Sequence, residues 1–166
     1  TLFRSTVVAA MNPCPCGYLG HPRHACRCTP DQVNKYRNRI SGPLLDRIDL
    51  VVEMPTVPDT ILLASADGEP SVTVRQRVAC AREVQLARQS QPNHALSSTD
   101  IDKYCLPDET GRTLLIAAIS KLGMSARASH RILRVARTIA DLENSAVIQS
   151  RHIAEAVQYR RMPGGT

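Results

Sequence analysis

The chain has no tryptophan, one phenylalanine and four tyrosines in 166 residues. A core with so few rings has to be assembled from leucine, isoleucine, valine and alanine, which favours packed helices. The same scarcity argues against a groove lined with aromatics for stacking single-stranded bases. No apolar run approaches the roughly 20 residues that a membrane span needs. No charged-then-apolar signal segment opens the chain. A cytoplasmic location is therefore expected, and disulfides are a poor account of the six cysteines. Also missing is any G-x-x-x-x-G-K-[ST] phosphate loop, and none of the three lysines follows a glycine-rich stretch. No apolar strand ends in paired acids; Asp108-Glu109 sits behind Pro107 at a helix start.

What is present is basic and ordinary in hydrophobicity. With 43% apolar and 22% charged residues the chain has the makings of a folded protein. Its length allows one compact domain or two small ones. A net charge of +6 and a pI near 9.3 make nucleic acid or nucleotide phosphate a reasonable partner class. Mild basicity is also common in proteins that bind neither.

Along the chain, Ser5 to Met11 is continuously apolar and partly β-branched, which predicts a short buried strand. The run starts so soon after Thr1 that the sequence reads as a fragment of something longer. A loop dense in proline, glycine, histidine and cysteine follows. Thr29, Pro30 and Gln32 then form a capping box with proline at the first helical position, opening a helix with Val33, Tyr36 and Ile40 on one face. Ser41-Gly42-Pro43 should end it, and Asp49 to Met54 reads as a second strand. Thr56 to Pro70 is the best linker. Beyond it the pattern is helical: Val72 to Gln89, Pro107 to Leu122 stopping at Gly123, Ala126 to Leu142 capped by Ser125, and a last helix opened by Ser150. In the third of these, Ile132, Val135, Ile139 and Leu142 should face inward, with Arg127, Arg131 and Arg134 elsewhere. Ile153 and Val157 are the expected buried positions of the last. The residues thus give a strand–loop–helix–strand piece followed by a helical bundle.

Three features could carry chemistry. Cys14, Cys16, Cys26 and Cys28 form two Cys-x-Cys pairs in one loop. Four thiolates suit tetrahedral Zn²⁺, although Cys-x-x-Cys is the commoner spacing, and His21 or His24 could replace one of them. The bland alternative is four free thiols in a turn. Cys80 and Cys105, alone on helical segments, read as small buried hydrophobes. Asn12 stands at the end of an apolar run, where open α/β sheets place ligand-contacting groups; capping the turn before Pro13 would explain it equally well. Arg47, between Asp46 and Asp49, suits either a structural ion pair or a phosphate.

The segments "VVAAMNPCPCG", "ISGPLLDRIDLVVEMP", "MSARASHRILRVARTIADL" and "HIAEAVQYR" resemble, in order, the magnesium-chelatase-related AAA+ ATPases of the ComM/YifB type, over Phe3 to Arg160. The resemblance implies a mainly α fold with a small β component. Residues 1–58 would be the C-terminal part of the αβα nucleotide-binding core, carrying the cysteine loop 12–28. Residues 59–70 would be a linker and 71–162 a helical lid. It implies that Asn12 is the sensor-1 polar residue and Arg47 an arginine finger, with Arg127 in "SAR" the sensor-2 arginine. Arg131, Arg134 and Arg137 fit a solvated or salt-bridged face better. ATP and Mg²⁺ would be the cofactors, DNA the partner and a ring, as a hexamer, the assembly. The expected role is DNA handling such as branch migration during natural transformation. The phosphate cradle and the magnesium-binding acid would lie upstream of Thr1, so this segment alone should not hydrolyse ATP. Two alternatives remain: a zinc-dependent nucleic-acid-binding module, and the ATPase subunit of a magnesium chelatase. The four-cysteine loop points to the ComM/YifB branch over the latter.

Overall fold

A computed structural model describes residues 6–55, 57 and 68–160. Most of the expected linker, and Ser5 of the first expected strand, lie outside the described residues. The chain divides into two compact units, Thr1–Leu45 and Asp46–Thr166.

The first unit is the cysteine loop followed by α1 (Pro30–Arg37) and the one-turn α2 (Gly42–Leu45). The Thr29 hydroxyl accepts from the Gln32 N–H, and the Gln32 side chain accepts from the Thr29 N–H, so the reciprocal box forms as the sequence predicts. The helix stops at Arg37, short of Ser41, and Gly42-Pro43 opens α2 instead of ending α1. Among the described residues of this unit only Cys14 and Val33 are buried apolar side chains. Burying one such side chain is worth about 1.5–3 kcal/mol, against about 1–2 kcal/mol of backbone entropy for every residue ordered. Packing alone does not hold this unit together.

The second unit is helical and has a core of its own. Its helices are α3 (Ser71–Gln89), α4 (Ser98–Tyr104), α5 (Glu109–Leu122), α6 (Ala126–Leu142) and α7 (Ser150–Gln158), with a 3₁₀ turn at Asn93–Ala95. Helix α6 packs against α3, α4 and α7, and α7 also packs on α5. Ser125 caps α6, and Gly123, in the left-handed region at φ 57°, ends α5. Ile153 and Val157 are buried in α7 as expected. Ser150 is the first residue of that helix, while Gln149 provides the capping box with His152.

Four expectations need correction. Neither strand forms: 6–12 and 49–54 have no regular structure, and Val7, Val8, Val52 and Met54 are exposed. A strand is stable only when its backbone groups pair with a neighbour, and no described segment lies alongside either run as a ladder. The β component is a single parallel bridge between Pro107 and Ile148 among the described residues. The buried stripe of α6 is Ala128, Ile132, Ala136 and Ala140, with Val135 and Ile139 only partly covered, because small residues let neighbouring helices approach closely. Cys105 is fully buried, but Cys80 is exposed on the outer face of α3. Finally, α4 is a helix of its own, opened by a Ser97–Asp100 capping box that the helical pattern alone did not separate from its neighbours.

Candidate functional site

The four loop cysteines converge. The sulfurs of Cys14, Cys16 and Cys26 are separated by 3.4, 3.7 and 3.6 Å. With the sulfur of Cys28, all four lie within 4.8 Å of one another. Sulfurs about 2.3 Å from a tetrahedral zinc stand about 3.8 Å from each other, so the cluster has the size of a four-thiolate zinc centre. Two tight turns bring this about. Gly17 and Gly20 take φ of 81° and 80°, a conformation glycine adopts without penalty, and the Gly17 N–H closes onto the Cys14 carbonyl at 3.0 Å.

The surrounding backbone favours thiolate. Hydrogen bonds from the backbone of Tyr18 and Arg27 draw the Cys16 thiol down to about 6. Leu19 provides a backbone bond to Cys14, and Cys28 provides one to Cys26. Although a backbone bond from Cys16 favours the Cys28 thiolate, burial and the three neighbouring thiols push Cys28 up to about 12. Four sulfurs this close cannot all carry charge unaided, and a divalent cation is the group that would let them. His21 and His24 are not in the cluster; the His21 Nδ1 accepts from the N–H groups of Arg23 and His24, and both rings pack with Tyr18.

Asn12, in the first unit, is exposed beside this turn, its amide 3.8 Å from where a Cβ on Gly17 would stand. Arg47 and Arg127 lie in the second unit, exposed and without an ion pair among the described residues. The backbone around Arg47 is nevertheless firmly held. Arg131, one turn beyond Arg127 on α6, donates through one nitrogen to the Arg47 carbonyl at 2.7 Å and to the Asp49 carboxylate at 2.5 Å. Arg160 donates to the Ile48 carbonyl and lies 3.7 Å from the Asp46 carboxylate, and the Val51 N–H donates to the Tyr159 carbonyl at 2.8 Å. The segment 46–51 is thus tied to α6 and to the end of α7. Sequence reasoning missed this strap, since its partners are 84 and 112 residues apart.

The other α6 arginines have structural roles. Arg134 donates to the Leu96 carbonyl. Arg137 is buried, not solvated: it bonds Asp141 and the carbonyls of Ser145 and Ala146.

The family model of magnesium chelatase, subunit ChlI, matches residues 3–62, and that of the magnesium chelatase, subunit ChlI C-terminal region matches residues 68–160. Across 95% of its length the chain is 46% identical to the uncharacterized protein YifB of Escherichia coli (strain K12), covering 31% of that protein. It is 44% identical over 96% of its length to competence protein ComM of Haemophilus influenzae, covering 31% of it. An uncharacterized protein of Mycobacterium tuberculosis (strain ATCC 25618 / H37Rv) is 35% identical over 95% of the chain. The chain spans about a third of the length of these relatives. With both regions matched in order, it belongs to the magnesium chelatase subunit ChlI family, as a ComM-like AAA+ protein.

Proposed function

We propose that this chain supplies the nucleotide-sensing and lid segments of a AAA+ ATPase subunit that moves DNA, with branch migration in natural transformation as its setting. The observation that carries the reading is the ordered pair of family matches, 3–62 and 68–160, joined to 44% identity with a competence protein. In this reading 1–58 closes the nucleotide-binding core, 59–70 links and 71–162 is the lid. The complete subunit works in the cytoplasm as a hexameric ring with ATP and Mg²⁺.

Asn12 positions the attacking water, Arg47 reaches the nucleotide of the neighbouring subunit, and Arg127 couples phosphate contact to the lid. Phosphoryl transfer spreads negative charge over the transferring group, and a well-placed arginine is worth about 10³–10⁵ in rate. Two features support these roles: both arginines are exposed and unpaired among the described residues, and Arg131 joins the Arg47 carbonyl to the helix that bears Arg127. Cys14, Cys16, Cys26 and Cys28 hold a structural zinc. Their sulfur separations and backbone hydrogen bonds support it, and four protein ligands leave no open position for catalysis.

The test uses the protein at the full length of its relatives. Arg47→Ala should leave ATP binding near wild type and lower DNA-stimulated hydrolysis by about 10³-fold or more. Equal loss of binding and turnover would remove the finger role. A wild-type ring whose turnover ignores DNA, and which does not move branched DNA, would remove the motor reading.

A further inference from the structure

The positive charge of the chain is unevenly placed. The first unit holds Arg4, Arg23, Arg27, Lys35, Arg37 and Arg39 against a single acid, Asp31, while the second nearly balances its charges. Three of those cations line one feature, a groove of about 740 Å³ between the cysteine turn and α1. Arg27 stands on one wall between Cys26 and Cys28. The other is formed by Gln32, Lys35 and Tyr36, whose i, i+3 and i+4 spacing puts them on one face of α1, and by Arg39 from the turn that follows the helix. No acid lines the groove, and Arg27, Lys35 and Arg39 are exposed without an ion pair among the described residues.

We propose that this groove is a docking surface for the phosphate backbone of nucleic acid, with Arg27, Lys35 and Arg39 as its phosphate contacts. The proposal rests on DNA being the partner of the complete protein, and it names where the chain would touch it. Unpaired cations on both walls suit a strand laid between them, since such contacts release counterions and need no base-specific partner. Tyr36, half-buried, is the single aromatic lining the groove, so the surface favours backbone over base readout. The cysteine cluster gives the site its geometry. Arg27 is flanked by two of the clustered thiols, and its backbone bonds the Cys16 sulfur, so ordering the sulfurs fixes the wall that carries the cation.

The experiment is fluorescence anisotropy of a labelled single-stranded and a duplex oligonucleotide with this chain, over a range of salt. The test protein is Arg27→Ala/Lys35→Ala/Arg39→Ala. The control is Arg75→Ala/Arg82→Ala/Arg112→Ala, which removes the same charge from exposed positions on α3 and α5. Metal content and circular dichroism establish that both fold. The groove variant should lose at least tenfold in affinity at low salt, and its slope of log K against log salt should fall by about 2 on single strands and about 3 on duplex. The control should keep most of the affinity. Equal losses in the two variants, or an unchanged salt slope, would overturn the groove while leaving DNA as the partner. Displacement of the oligonucleotide by polyglutamate as readily as by unlabelled DNA would assign the groove to an acidic protein. No binding by the unaltered chain would also overturn the groove, whereas the motor reading is judged separately by DNA-stimulated hydrolysis in the full-length protein.

Discussion

Asp141 has no exposed side-chain surface and faces two guanidinium groups. Arg88 reaches it from α3 with two bonds of 2.6 and 3.0 Å, Arg137 from the preceding turn of α6 at 3.0 Å, and the Asn93 amide at 2.8 Å. Asn93 also takes its N–H to the Gln85 side chain, so the 3₁₀ turn is tied to both helices. A buried carboxylate survives only if its charge is met. Burial also holds the Arg137 guanidinium below its usual range, and the nearby Asp141 charge works the other way. Asp141→Ala would leave that arginine uncompensated, which costs about 3–5 kcal/mol. In urea titration the midpoint should fall by more than about 1 M, given a slope of about 1–3 kcal/mol per M. An unchanged midpoint would mean that the network contributes no stability. Sequence reading left Arg137 between a solvated and a salt-bridged face; it is salt-bridged and buried, and its burial was not legible because the second cation on Asp141, Arg88, is remote in the chain. The four cysteines were legible for the opposite reason, being close in sequence and of one type. The backbone bonds that favour their thiolates depend on turn geometry and were not.

At the scale of elements, caps and the buried face of α7 were legible, and the buried face of α6 was not. Ser125 and Thr29 cap by contacts three residues away, which the sequence displays directly, whereas Asp108, read as inside a helix from Pro107, is the cap of one that starts at Glu109. Which stripe of α6 goes inside depends on how near α3 and α7 approach, and alanines decided that. The two expected strands failed because a strand is a property of a pair. Segment 46–51 shows what such a run does here: it is strapped to helices by Arg131, Arg160 and the Tyr159 carbonyl. Arg131→Ala removes two of those bonds at once while sparing the apolar stripe of α6. Amide exchange over 46–51 should then speed up by about tenfold, the equivalent of about 1.4 kcal/mol, with α6 and α7 unchanged. Faster exchange throughout the helical unit would show Arg131 to be a general support and not a strap.

The whole molecule joins two units that are stabilised by different means. The helical unit buries Leu96, Ile101, Ile132, Ile148 and Ile153 almost completely and can be held by packing. The cysteine unit has Cys14 and Val33 and little else among its described residues, so on the zinc reading proposed above its order depends on the sulfur cluster. Small domains without a sufficient core commonly depend on a metal, and structural zinc contributes about 10–16 kcal/mol in peptides of this size. Chelation should therefore act on one unit alone. Purified chain should carry about one zinc, and a strong chelator should erase the dispersed NMR signals of residues 12–40 while those of 71–158 keep their positions. Far-UV helicity should fall only by the small share that α1 and α2 supply. Replacing Cys16 and Cys28 together by serine should reproduce the chelated spectrum without chelator. Intact signals from 12–40 in metal-free protein would show that turn geometry and the Thr29 cap suffice. Iron instead of zinc in the purified chain would keep the structural role and change the metal.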